Sequence, residues 1–320
     1  MLKRDLNFNP YLPDNRNFFD ESRVDIKIKK VKNVVKPKFS IVIPCFNERE
    51  RLIHVLNSFA NQVYPKTKYE LIVIDDGSTD MTYKLLKKLS FDCDFKYIYW
   101  ERPAIEMKKK YKDWASFYNR AGPARNVAVK HARGEILLFN DADIIVERDC
   151  LKKHETYHDK FENTIVRGYR MCLPENIDYK LIKNFEYLKK IARHEKPKSE
   201  RKMHCRLYNL KQEGWQRVVT CNLSIRKKYF EKINGFSQDF VFWGFEDLDL
   251  GYRLRELGSK FVWDDKIVVY HLYHPKESGG GRKNFLAFKV GVNILFNKYK
   301  DPEIVNIFTD IIKKRFKKYL

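Results

Sequence analysis

Residues 134–143 read GEILLFNDAD. A short apolar run ends at Asn140 and is followed by two carboxylates, Asp141 and Asp143, separated by one residue. Such a run bounded by polar residues predicts a strand buried on both faces, the pattern of a parallel sheet covered by helices. The same pattern occurs twice upstream. Residues 39–48, FSIVIPCFNE, end in Asn47 and Glu48, and residues 70–80, ELIVIDDGSTD, pass through Asp75 and Asp76 into a turn. Between these runs, Leu52, Ile53, Leu56 and Phe59 recur at helical spacing. Residues 81–89, MTYKLLKKL, predict a second helix that Ser78 or Thr79 is placed to cap. FKYIYW (95–100) reads as another strand and ARNVAVKHA (124–132) as another helix. Strands alternating with helices give an α/β fold with a Rossmann-like, mostly parallel sheet flanked by helices. Ligands of such sheets bind beyond the carboxyl ends of the strands. Those ends carry Asn47, Glu48, Asp75, Asp76, Asp141 and Asp143.

The chain has 320 residues, 43% of them hydrophobic and 33% charged, which excludes a disordered or fibrous protein. Lys and Arg total 64 against 42 Asp and Glu, a net charge of +22. That excess favours an anionic partner: nucleic acid, a nucleotide phosphate, an acidic glycan or an anionic membrane face. A solvated lysine surface accounts for it equally well. The six cysteines form no C-x-x-C pair and read as reduced, mostly buried thiols. No apolar run reaches the ~18 residues of a membrane span. The opening MLKRDLNFNP lacks an apolar leader, so a cytoplasmic location is expected, peripheral to the inner membrane face if the basic C-terminal stretch KKRFKKYL engages lipid.

Two carboxylates at i and i+2 after a buried strand can face one cation, and their hard oxygens suit Mg²⁺ or Mn²⁺ bridging nucleotide phosphates. The second half is less regular. TIVRGYRM (164–171) and VVTCNLSI (218–225) read as strands, and residues 178–194 as one helix. A Lys/Arg-rich loop is expected from Lys196 to Arg217. FWGFEDLDLGYRLRELG (242–258) begins as a turn and becomes a helix with Glu246 and Asp247 in its first turn, where negative charge is stabilised. KIVVY (266–270) is a strand followed by His271 and, three residues later, His274.

FSIVIPCFNE, LIVIDDGSTD and GPARNVAVKHARGEILLFNDAD together resemble the nucleotide-sugar half of family 2 glycosyltransferases with the GT-A fold, from about Phe39 to Pro275. The segment NGFSQDFVFWGFEDLDLGYRLRELG resembles the C-terminal part of galactosyl- and N-acetylgalactosaminyltransferases, with Phe245 where that family carries a second glycine. The resemblance implies donor contacts from Pro44, Asn47, Glu48, Asp75, Asp76, Arg125, Asp141, Asp143 and Trp243. It implies a divalent cation, Mn²⁺ or Mg²⁺, at Asp143, His271 and Asp141, with His274 as the alternative imidazole. It also implies a catalytic pair, Asp247 as base and Glu246 beside it. The implied reaction is inverting transfer of Gal, GalNAc, Glc or GlcNAc from a UDP-sugar to a hydroxyl of a glycan, lipid-linked or peptide acceptor in surface glycan synthesis.

The expected organisation is an N-terminal extension (1–37), a GT-A domain (38–275, dividing at 145/146 into donor and acceptor halves) and C-terminal helices (276–320). Two rival readings are a sugar-phosphate nucleotidyltransferase and a basic nucleic-acid-binding protein. The first wants a glycine-rich loop that CFNERE lacks. The second gains nothing from carboxylates at successive strand ends, which would repel phosphate.

Overall fold

The computed structural model describes residues 20–32, 35–102, 120–194, 214–240, 244–274, 281–304 and 306–308. Ten strands build one sheet: β1 (Val24–Lys30), β2 (Phe39–Cys45), β3 (Tyr69–Asp75), β4 (Asp94–Trp100), β5 (Ile136–Asn140), β6 (Ile144–Val146), β7 (Thr164–Cys172), β8 (Arg193–His194), β9 (Asn222–Arg226) and β10 (Lys260–His271). Their order is β1-β4-β3-β2-β5-β9-β7-β10-β6, with β8 beside β7. The helices are α1 (Arg49–Ala60), α2 (Thr82–Lys87), α3 (Ala121–Lys130), α4 (Cys150–Lys160), α5 (Phe185–Ile191), α6 (Lys227–Lys232), α7 (Glu246–Glu256) and α8 (Gly281–Tyr299).

The four-strand block β4-β3-β2-β5 is parallel throughout, as its unbroken apolar runs require. Successive side chains of β2 serve opposite layers. Ile41 and Ile43 pack with Leu52, Leu56 and Phe59 of α1, and Val42 packs in the layer of Ala124, Val127 and Ala128 of α3. Fully burying such a side chain contributes about 1.5–3 kcal/mol. Beyond β5 the sheet becomes mixed: β9 runs antiparallel to β5 and β7, while β10 is parallel to β7. The long β10 then pairs antiparallel with short β6, setting His271 opposite Ile144.

Three local expectations change. Part of the N-terminal extension is integral: β1 pairs antiparallel with β4, Val24 opposite Trp100, and the Trp100 indole donates to the Asp20 carbonyl at 3.0 Å. The helix expected over 178–194 is a 3₁₀ turn at Tyr179–Leu181 and then α5. Asn184 caps a new start there, its side chain accepting from Tyr187 N. Neither Ser78 nor Thr79 caps α2. Met81 takes the left-handed cap position, and Asp80 accepts from the Thr82 amide at 3.1 Å and from its hydroxyl.

A third apolar cluster lies at the start of α7. Gly244 (φ 91°) and Phe245 (φ 75°) both adopt left-handed backbone, ordinary for glycine and costly for phenylalanine by roughly 1–2 kcal/mol. Packing holds Phe245 there. Its ring lies 5.1 Å from that of Phe288 and 5.4 Å from that of Phe308. At Gly291 on α8 any Cβ would strike the Phe245 ring. The five described cysteines are unpaired, and four of them are buried.

Candidate active site

The turns after β2 and β3 interlock. Asn47 sits in left-handed backbone (φ 54°), its amide N–H donates to Ser78 Oγ at 2.8 Å, and its side-chain oxygen accepts from Thr79 N at 2.8 Å. Asn47 thus ties the two strand ends together. Pro44 lies at the end of β2, opposite Ile74. Glu48, half-buried, pairs with Arg51 one helical turn on. Asp75 is fully buried and accepts from Tyr97 OH at 2.6 Å and Ser78 N at 2.6 Å; burial raises its pKa against those bonds. Asp76, expected to contact the nucleoside, instead gives its oxygens to two arginines: Oδ2 to Arg102 at 2.5 Å and Oδ1 to Arg120 Nε at 2.6 Å. Those arginines stack on Phe46 and Trp100, each 4.0 Å from the ring centre. The carboxylate therefore fixes two cations beside an exposed aromatic face. Tyr97, Arg102 and Arg120 were not anticipated. The Arg in WERP at the end of β4 and the Arg just before AGPARN were the available signals.

The turn after β5 separates its two acids. Asp141, expected to share the cation, accepts from Arg125 Nη2 at 2.7 Å and lies outside the ligand cluster. Arg125 is buried near the start of α3, where Gly122 lies close against the loop before α7: a Cβ there would meet Phe236 Cβ at 3.1 Å, with Glu246 Cβ next at 3.6 Å. Asn126 fastens the same helix to the loop before α7, donating to Phe236 O and accepting from Phe236 N, both at 2.8 Å. Glu246 is buried in the first turn of α7, and Asp247 Oδ2 accepts from Thr220 N at 3.3 Å. Asp249 points away from this pair, fully buried among Arg253, Tyr299 and Lys298.

Asp143 lies where β6 and β10 meet, its backbone oxygen accepting from Leu272 N at 2.9 Å. Its Oδ2 is 3.1 Å from His271 Nε2 and 3.3 Å from His274 Nε2, so both histidines join it. One ligand atom from each residue lies within 4.8 Å of the others. Burial opposes charge on both Asp143 and His271. The hydrogen bonds and opposite charges outweigh it, holding Asp143 well below the usual carboxylate range and raising His271 to about 9.

Among the described residues, six buried polar side-chain atoms of this site have no hydrogen-bond partner: Arg102 Nε, Arg125 Nε and Nη1, Asp143 Oδ1, Glu246 Oε2 and Asp247 Oδ1. An unsatisfied buried group costs roughly 1–3 kcal/mol. Of these six, the atoms of Arg125, Glu246 and Asp247 belong to groups within electrostatic reach of one another, which prepares a surface for a polar ligand that supplies what each lacks. Trp243 lies outside the described residues, as do most of the Lys196–Arg217 stretch and KKRFKKYL. No described helix is long and apolar enough to cross a membrane.

The profile of the family described as Glycosyl transferase family 2 matches residues 40–104 and 116–233. The chain belongs to that family. A second profile, described as the N-terminal domain of galactosyltransferase, matches residues 201–275, over the Glu246–Asp247 segment. The chain is a glycosyltransferase, and this membership decides against the two rival readings. It is 28% identical over 330 residues to the uncharacterized glycosyltransferase YfnE of Bacillus subtilis, spanning 86% of this chain and 78% of that protein. It is 32% identical over 131 residues to the poly(ribitol-phosphate) beta-N-acetylglucosaminyltransferase TarS of Staphylococcus aureus, spanning 40% of this chain and 20% of TarS. The structure of S. aureus TarS 1–349 in complex with UDP-GlcNAc superposes with a TM-score of 0.59 at 17% identity, covering 88% of this chain and 73% of that one. That likeness establishes the GT-A type of fold.

Proposed function

We propose that this glycosyltransferase moves a sugar from a UDP-sugar to an acceptor hydroxyl with inversion, in surface glycan synthesis. The observation that carries the reading is the set of unpartnered polar atoms on Arg125, Glu246 and Asp247, where Asp141 at the end of β5 holds Arg125 near the start of α7. The UDP-GlcNAc-bound TarS structure supports a uridine nucleotide as donor carrier and makes UDP-GlcNAc the first sugar to try.

The donor set at Asp143 fits a divalent cation. One carboxylate and two imidazoles suit Mn²⁺ better than Mg²⁺, and the buried Oδ1 of Asp143 still lacks a partner. Asp143, His271 and His274 would hold it. Such an ion, when bound, supplies Lewis-acid stabilisation to a leaving diphosphate. The rest falls to side chains. Arg102, fixed by Asp76 and stacked on Phe46, offers a flat cation and an unused Nε–H to the donor, and the fully buried Arg120 braces Asp76 behind it. Arg125, oriented by Asp141, presents two unused N–H groups to donor oxygens.

Burial raises the pKa of both Glu246 and Asp247. The neighbouring Asp247 charge pushes Glu246 further, to about 8, and Arg125 opposes the rise at both residues. Both carboxyls are thus driven toward the protonated form more than ordinary ones, a poise that suits acid and base work. Asp247 takes the acceptor proton as the hydroxyl attacks the anomeric carbon, and Glu246 donates a hydrogen bond to a neighbouring acceptor oxygen. A single displacement inverts the configuration. The test is UDP release from UDP-GlcNAc, UDP-Glc, UDP-Gal and UDP-GalNAc with and without Mn²⁺. Turnover of one donor that needs the ion is expected, and silence with all four would sink the proposal.

A further inference from the structure

Two adjoining cavities, of about 620 and 320 Å³, run along the outer face of α1 and share His54. The first lies between α1 and α2, and the second between α1 and the segment leading into α5. Their walls are largely apolar, with Ile53, Leu85 and Tyr179 in one and Ile145, Ile182 and Phe185 in the other. At the junction His54 stacks on Tyr179, ring centres 4.8 Å apart. The charged lining is one-sided. Arg49, Lys84 and Lys88 line the first cavity and Arg148 and Lys183 the second, against a single acid, Glu50. Lys84, Lys88, Arg148 and Lys183 form no ion pair among the described residues. The groove begins at the N-terminal turn of α1, directly after Glu48. Arg51 in that turn interacts electrostatically with both Asp143 and the cavity residue Tyr179, which puts the near end of the groove on the side of the Asp143 cluster.

Apolar walls with cations along them match a chain that alternates C–H-rich carbohydrate or polyol faces with anionic groups. The faces pack on aliphatic and aromatic side chains, and the anions meet Lys and Arg. We infer that the groove over α1 binds an anionic carbohydrate or polyol chain, the acceptor of the transfer reaction, and holds the body of that chain outside the site. This inference rests on the proposed sugar transfer. It gives part of the +22 charge a location and a ligand class. The negative groups can be phosphodiesters or carboxylates.

The test uses the full chain and two charge-reversed pairs, Lys84→Glu with Lys88→Glu, and Arg148→Glu with Lys183→Glu. All four residues are exposed, and none belongs to the donor or catalytic machinery. Binding is measured with fluorescent oligomers of poly(ribitol phosphate), of hyaluronan as the carboxylate chain, and of neutral dextran. Each pair should weaken one of the anionic probes about tenfold, since exposed charge contacts are individually modest. Added salt should weaken the intact protein more than the variants. The anionic probe that loses affinity identifies the phosphodiester or the carboxylate as the recognised group. With that probe as acceptor, KM should rise while kcat and UDP-sugar hydrolysis stay unchanged. Dextran binding as tightly as both anionic probes overturns the inference. So does a single-stranded oligonucleotide of equal charge that binds as tightly and is weakened by the same changes. Loss of hydrolysis in the intact protein would instead remove the transfer reading and leave the groove's binding as a separate result.

Discussion

Two acidic clusters share one site and stand in opposite electrostatic states. Asp143 is buried, yet two imidazoles keep it ionised. Glu246 is buried and Asp247 half-buried; desolvation outweighs the attraction of Arg125 at both, and they are driven toward the neutral form. Burial is common to both, so partners decide the charge. A permanently charged carboxylate suits cation holding. A pair poised between charged and neutral suits proton transfer. The contrast assigns different tasks to residues that look alike in the sequence.

Changes on each side test the comparison. The largest effect is expected at the poised pair. Asp247→Asn keeps shape but removes the proton acceptor, and sugar transfer should fall roughly 10²–10⁴-fold with UDP-sugar affinity nearly unchanged. Steady-state transfer and donor titration check this together. Asp249→Asn, two residues away on a different face, should lower the melting temperature and cost transfer far less. If Asp247→Asn transfers normally and Glu246→Gln is dead, the roles within the pair are exchanged.

On the ionised side, Asp143→Ala should bring Mn²⁺-dependent UDP binding down to the level seen with chelator, as read by calorimetry. His271→Ala and His274→Ala should each weaken it in part. If UDP binding by Asp143→Ala responds to Mn²⁺ as the intact protein does, the cation is held elsewhere.

The smallest effect concerns stability and pH. Glu246 has its folded pKa raised from 4.5 to about 8. A raised acid stabilises the fold most below its unfolded pKa, and that contribution is lost as pH climbs through 8. Glu246→Gln removes the dependence. Relative to the intact protein, the variant should therefore gain stability between pH 5 and 9, on the order of 1–3 kcal/mol at the upper end. A denaturation midpoint difference that is flat across this range would mean that Glu246 is already ionised.

Much of this was legible from residue order. The buried strands β2, β3 and β5 announce themselves because parallel strands covered on both faces need unbroken apolar runs, and their terminal acids mark the ligand edge. The helix carrying Glu246 and Asp247 was equally plain. What stayed hidden depends on residues distant in sequence. Nothing near Asp76 reveals that Arg120, 44 positions on, takes its oxygen. His274 lies beyond its strand, and only the β6–β10 pairing brings it to Asp143. In β1, VDIKIKK alternates apolar and polar residues instead of running unbroken, because this edge strand keeps most of one face wet.

Phe245 carries a consequence for the order in which the enzyme comes alive. Its left-handed backbone sets the first turn of α7, and the rings and glycine that hold it come from residues 288–308. A growing chain that has completed its whole sheet still lacks this clamp and the contacts that hold the first turn of α7. A chain ending at residue 280 should retain donor binding and transfer no sugar until the peptide 281–320 is supplied, and transfer by the shortened chain alone would show that the clamp is dispensable. With transfer dependent on that peptide, synthesis from the N-terminus would complete the donor edge of the sheet before the turn that carries Asp247 is clamped.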